Sequence, residues 1–370
     1  MKSWIACFIT ILLVLSGCAP GPGPASPSPR SVTDTPALAV DRSTPSVAAT
    51  TVSPPTLPAP PLPVIFDDDG SPDGTAALFC LLGHPGVSIE VINISYGEAH
   101  PLVYIQHIGR KLDELGIHDI PLAAGQDAPL AGSNGFPEAL RQGANNFWGL
   151  PIPNAGKVYL FHNAPAYLVW ILNQASAPVT IFISGPCTNL AQALQLDPGI
   201  RRNIAAVYIM GGAVYAPGNI ADLLANSGNT VAEWNIYADP LAASMVFDSG
   251  LDIYLVPLDA TNQVTIGKSD TRQWRLGGET AKFAADIYDM LLDGWGAENA
   301  AIWDLMTAAI MVKPDLCAFQ PLHLKVDTRE GVTSGQTVIV PDEQPNIHVC
   351  LQPDVNLIKQ TLIDIFSNSR

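Results

Sequence analysis

The residues best placed to do chemistry in this chain are acidic, and they crowd into Phe66-Asp67-Asp68-Asp69-Gly70-Ser71-Pro72-Asp73. Asp67 and Asp69 are two apart at the end of a short apolar run. If that run is a strand, their side chains share one face and Asp68 points the other way. Asp73 falls where the next helix should begin, in position to cap its N-terminus. Carboxylates this close repel one another unless a cation or hydrogen bonds offset the charge. Oxygen donors at such a turn suit a hard cation such as Ca2+ better than a soft metal. On these residues alone, a plain acidic turn with one capping aspartate is an equal alternative.

The elements that must hold these groups can be read from hydrophobic patterning. Val64-Ile65-Phe66 precedes a Gly/Pro turn and a helical stretch from Thr75 to Leu82, and Ile89 to Ser95 reads as the next strand. Val179 to Ser184 and Ala205 to Met210 are further strand-like runs, adjoining helical stretches such as Thr188 to Leu196 and Pro240 to Phe247. Alternating strands and helices indicate an α/β fold with a mainly parallel central sheet flanked by helices, a Rossmann-like core. In such sheets ligands bind beyond the carboxyl ends of the strands, where the acidic turn lies.

Val64-Ile65-Phe66-Asp67-Asp68-Asp69-Gly70-Ser71-Pro72-Asp73-Gly74 resembles the opening DxDPGxDD signature of the nucleoside hydrolases. Later segments agree in order. Ser184-Gly185-Pro186-Cys187-Thr188-Asn189-Leu190-Ala191 is similar to the GPLTNLA turn of that family. Ile209-Met210-Gly211-Gly212-Ala213 with Gly218-Asn219 is similar to its MGG…GN segment. Ala232-Glu233-Trp234-Asn235-Ile236-Tyr237-Ala238-Asp239-Pro240 is similar to its AEFNxxxDP block. Trp303-Asp304 stands where the family has a His-Asp or Trp-Asp pair, and Gly335-Gln336-Thr337-Val338 resembles its C-terminal segment.

The resemblance implies hydrolysis of the N-glycosidic bond of ribonucleosides to free base and ribose, with Ca2+ as cofactor. It makes Asp69 both a Ca2+ ligand and the general base for the attacking water. Thr188, through its carbonyl, and Asp304 become further metal ligands. Asp73, Met210, Asn219, Glu233 and Asn235 become the residues gripping the ribose. Carboxylates and amide oxygens suit an oxocarbenium-like ribosyl transition state. Trp303 resembles the purine-preferring branch, in which aromatic rings sandwich the base, and Trp148 is a candidate for the second face. A core position is the alternative for either tryptophan, an equal one for Trp148 and the lesser one for Trp303. The family commonly forms homo-oligomers.

Two positions depart from the pattern. Gly74 replaces the second aspartate of the family's adjacent pair and removes a strong Ca2+ ligand. Glu98, in Gly97-Glu98, stands where a shorter polar residue is usual, and its longer reach is expected to restore the missing carboxylate. Asp68 is expected to point away. A second reading follows: a non-catalytic nucleoside- or ribose-binding lipoprotein with a degraded metal site.

The rest of the chain speaks to location. Of 370 residues, 48% are hydrophobic and 14% charged, and a net charge of -16 disfavours nucleic-acid binding. Residues 1–17 read as a signal peptide whose Leu15-Ser16-Gly17-Cys18 end resembles a bacterial lipobox, making Cys18 the lipidation site. Residues 18–62 are rich in Pro, Ser and Thr and read as a spacer, leaving 63–370 as the catalytic domain. The expected location is extracytoplasmic, with the membrane reached through the lipid. Cys80 and Cys187 lie in apolar contexts and read as small core residues. One disulfide among Cys80, Cys187, Cys317 and Cys350 suits an oxidising compartment, with its pairing open.

Overall fold

Val64, Ile65 and Phe66 have no exposed surface, which explains why their stretch is apolar throughout instead of alternating. They belong to β1 (Leu62–Asp68). The computed structural model describes residues 60–152 and 158–369. The signal segment, Cys18 and nearly all of the expected spacer lie outside the described residues. β2 (Val87–Ile94), β3 (Leu122–Ala124), β4 (Val179–Ser184), β5 (Ile204–Met210), β6 (Ile253–Val256), β7 (Cys317–Leu322) and β8 (Ile347–Pro353) complete the main sheet. Its order is β3-β2-β1-β4-β5-β6-β8-β7. All neighbours are parallel except β7, which lies antiparallel to β8 at the edge. The α/β fold with a mainly parallel sheet is therefore as expected.

Helices cover both faces. Val64 and Phe66 pack into one layer with α1 (Pro72–Gly83), and Ile65 and Val91 into the other with α2 (Thr188–Leu196). α3 (Trp234–Ala238) and α4 (Pro240–Phe247) follow, with α4 on the Ile65 side. α5 (Glu279–Trp295) and α6 (Trp303–Val312) join α1 on the Phe66 side. Each large apolar side chain removed from water in these layers contributes about 1.5–3 kcal/mol. α1 has no polar stripe because it is enclosed by the sheet and by α5 and α6, so almost its whole surface is interior.

Strand order reverses at β1, with β2 and β3 on one side and β4 to β6 on the other. The crevice at the carboxyl ends of β1 and β4 is the place where such sheets bind ligands. At the far edge a disulfide joins Cys317 to Cys350 across β7 and β8, while Cys80 and Cys187 are free and buried in the two cores. Among the described residues no helix is long and apolar enough to cross a membrane.

Candidate active site

β1 stops at Asp68, and the chain turns sharply through Gly70, whose φ is +89°. A Cβ there would lie 2.4 Å from that of Ala99, so the turn requires glycine. Ser71 then caps α1: its Oγ accepts the Gly74 N–H at 2.7 Å, and Pro72 opens the helix. This corrects the expectation that Asp73 is the cap. The Asp73 carboxylate is turned toward α6 instead, where it accepts the Asp304 N–H at 2.6 Å and the Leu305 N–H at 3.4 Å. It also accepts the Tyr288 hydroxyl of α5. Asp73 therefore ties together α1, α5 and the start of α6.

The remaining carboxylates meet at the same turn. Asp67 faces α2 and accepts the Asn189 side-chain N–H at 2.9 Å. Asp68 accepts the Ser184 hydroxyl at 2.8 Å and the Gly70 N–H at 2.9 Å. Asp69 accepts the Glu98 backbone N–H at 3.1 Å through Oδ2, while its buried Oδ1 has no hydrogen-bond partner. Asp304, at the start of α6, accepts the Ser71 hydroxyl at 3.0 Å. Asp67, Asp68, Asp69, Asp73 and Asp304 are buried and Glu98 is half-buried.

Burial is the main force on their protonation. It pushes Asp67 and Asp68 up to about 7, Asp73 to about 6 and Glu98 to about 8. Asp69 rises well above the ordinary carboxylate range through burial, then through repulsion from Glu98 and Asp68. Asp304 rises in the same way, with Asp73, Asp68 and Asp69 as its charged neighbours. Among the described residues, no Lys, Arg or His forms an ion pair with any of these carboxylates.

The donor chemistry fits a hard cation: several oxygens, uncompensated negative charge, and buried oxygens on Asp67 and Asp69 with nothing bound to them. The side chains are held by the bonds just described, not gathered around one point. Among the described residues, no three acidic, His or Cys side chains already stand as a metal-holding group. One expectation about this cluster is corrected. Asp68 does alternate away from Asp67, but the face it turns to is the one covered by α1 and α6, which carry Asp73 and Asp304. It points into the cluster.

The segments similar to the ribose-gripping residues converge beside it. Glu233 caps α3, with its carboxylate accepting N–H groups of Asn235, Ile236 and Gly212 at 2.9, 3.2 and 2.8 Å. Asn235 donates its side-chain N–H to the Met210 carbonyl at 3.1 Å, joining α3 to the end of β5. Met210 is otherwise buried among Ala213 and Leu258. Asn219 follows on the same loop, and its side-chain oxygen is buried without a partner. Thr188, fully buried at the start of α2, donates its hydroxyl to Asp239 at 2.7 Å.

The two tryptophans differ. Trp303 is half-buried beside Met210, Ala213 and Leu258, one residue before Asp304. Trp148 packs against the main core and donates its indole N–H to the Gly70 carbonyl at 2.9 Å. It sits in a left-handed turn, with φ of 50° at Phe147 and 56° at Trp148. Several supporting residues carried no clear sequence signal. Asp259 accepts the N–H groups of Val214, Tyr215 and Ala216 at 2.8, 2.7 and 3.0 Å and fixes the loop after β5. Tyr288 comes from a distant helix. Ser71 was the exception, since Ser-Pro before an apolar run is a helix-start signature.

Shallow cavities of about 150 and 390 Å³ lie at Leu194–Met245 and Asp252–His348, away from the carboxylate cluster.

Comparison with known proteins agrees with this arrangement. A sequence profile described as inosine-uridine preferring nucleoside hydrolase matches residues 64–360. The chain is 30% identical over 318 residues to the pyrimidine-specific ribonucleoside hydrolase RihA of Citrobacter koseri, covering 83% of this chain and 97% of that protein. Among solved structures, it resembles a purine-preferring ribonucleoside hydrolase from Gardnerella vaginalis with TM-score 0.73 and 26% identity, over 82% of this chain and 98% of that one. An inosine-uridine preferring nucleoside hydrolase from Bacillus anthracis gives TM-score 0.69 and 25% identity, over 83% and 99%. With the profile spanning most of its length and the carboxylate turn standing at the reversal of its sheet, the chain belongs to the inosine-uridine preferring nucleoside hydrolase family.

Proposed function

We propose that this protein is an exported, lipid-anchored hydrolase that uses Ca2+ to split ribonucleosides, purine nucleosides preferentially, into free base and ribose. The observation that carries the catalytic part is Asp69, whose buried Oδ1 is unpaired at the carboxyl end of β1 among carboxylates that no described Lys, Arg or His pairs with. An unpaired carboxylate oxygen at this position is free to accept a proton from water. Asp69 takes a proton from water as its oxygen bonds to the anomeric carbon. The bond from that carbon to the base nitrogen breaks, its electrons leave with the base, and the base takes a proton from solvent while Asp69 returns its own to solvent. Buried carboxylates around the ribose favour the positive charge that develops on the sugar. Bound Ca2+, held by Asp69, Asp304 and the Thr188 carbonyl, would neutralise the cluster and polarise water and the sugar diol.

Purine preference is supported by Trp303, whose half-buried ring adjoins an apolar patch next to Asp304 and is suited to stack on a large base. Named relatives include both purine-preferring and pyrimidine-specific enzymes, so their names do not choose. Export and anchoring at Cys18 are supported by the lipobox-like sequence and by the Cys317–Cys350 disulfide, which suits an oxidising compartment.

The test is ribose release by the full chain from a panel of purine and pyrimidine nucleosides, with Ca2+ and with EDTA. Turnover that needs Ca2+ and falls by about 10²–10⁴-fold in Asp69→Asn is expected. No ribose from any nucleoside would leave the binding-lipoprotein reading in its place.

A further inference from the structure

Gly74 stands where the family signature has an aspartate, and the space beside it is occupied. A Cβ built on Gly74 would lie 1.8 Å from Oδ1 of Asp68 and 2.7 Å from its Cγ. Real Cβ atoms do not approach other atoms so closely, so a side chain at 74 and the observed carboxylate at 68 exclude each other. The two residues are a matched pair: the carboxylate comes from the strand because the helix has made room for it.

We infer that Asp68 supplies the cation-binding carboxylate that Gly74 lacks, joining Asp69, Asp304 and the Thr188 carbonyl in this chain's ligand set. The inference rests on the Ca2+ reading above and names which residue completes that site. Asp68 is buried and aimed by two bonds, the Ser184 hydroxyl on Oδ1 and the Gly70 N–H on Oδ2. Each oxygen keeps a lone pair for a metal, because a carboxylate oxygen accepts more than one partner. Beside it, Asp69 presents a buried Oδ1 with no partner, which is independent of Asp68 and calls for a ligand. Ser71 helps set the spacing, since its one hydroxyl oxygen accepts the Gly74 N–H and donates to Asp304. Glu98 is bound into the site by its backbone: its N–H is donated to Asp69 Oδ2. That bond orients Asp69.

Calorimetric titration of Ca2+ into the EDTA-stripped full chain tests this, with melting curves in EDTA to confirm that each variant is folded. Asp68→Asn, which keeps the shape and the Ser184 bond, is expected to weaken binding at least about tenfold. Gly74→Asp alone is expected to bind weakly, because two carboxylates compete for one space. The double variant Asp68→Ala, Gly74→Asp is expected to recover binding to within about tenfold of the unmodified chain. Unchanged affinity in Asp68→Asn, no recovery in the double variant, or no Ca2+ binding by the unmodified chain each overturns the assignment. If the affinities move as stated but no nucleoside is cleaved, the ligand assignment stands and the hydrolase reading fails.

Discussion

The carboxylate cluster should make the cation-free protein lose stability as pH rises. Asp67 and Asp68 titrate at about 7 in the folded protein and Glu98 at about 8, all raised first by burial from 3.8 or 4.5. An acid whose folded pKa is raised stabilises the fold fully below its unfolded pKa, and that contribution is lost as pH climbs through the folded value. The window free of opposing groups runs from pH 6.5 to about 8, because His84 and His107, lowered by burial, act below 6.5. Asp197, Glu279 and Asp327, held low by Asn173, Lys282 and Arg329, act at more acid pH still. Each proton kept by the folded chain and lost by the unfolded one gives a slope of about 1.4 kcal/mol per pH unit. Allowing one net proton, because the carboxylates interact, the loss across the window is about 2 kcal/mol, or roughly 4 °C in melting temperature. Melting curves in EDTA at half-unit steps from pH 6.5 to 8, repeated with excess Ca2+, read this out. A fall in EDTA that Ca2+ abolishes is expected, since a cation favours the ionised forms. A flat or rising curve in EDTA would refute the reasoning about the buried carboxylates.

Two further perturbations separate roles within the fold. Trp148→Phe keeps an aromatic face but leaves the buried Gly70 carbonyl without its donor; it is expected to lower stability by about 1–3 kcal/mol and to lower kcat more than it changes KM. Unchanged melting with a raised KM for purine nucleosides would instead make Trp148 a base-stacking residue. The Cys317–Cys350 bridge closes a 33-residue separation, and replacing both cysteines with serine should cost about 4 kcal/mol of stability by chain entropy. Ribose release at low temperature should persist, because the bridge lies on the sheet edge remote from β1; its loss while the protein stays folded would contradict that separation.

Much of the architecture was legible in linear order. Parallel strands buried on both faces must be continuous apolar runs; Val179 to Ser184 reads that way at its observed limits, and Val64-Ile65-Phe66 marks the middle of a strand that extends from Leu62 to Asp68. The acidic turn was legible for a similar reason: ligands gather at strand ends, and the aspartates follow the first strand directly. The errors concern direction. Local spacing correctly says that Asp68 and Asp67 face opposite sides, but which side holds the site depends on where α1 and α6 pack, hundreds of positions apart in the case of Asp68 and Asp304. Asp73 was read as a cap for the helix it begins, whereas tertiary packing brings it Tyr288 and the free N–H groups of α6, a better use for a buried carboxylate. The Cys317–Cys350 pairing was open for the same reason, since four cysteines allow several pairings and strand adjacency alone selects one. The chain order of residues specifies periodicity, turns and donor types; it does not specify which distant donor fills a space. Gly74 shows the difference, since in sequence it is a missing ligand and in space it is the room that Asp68 occupies.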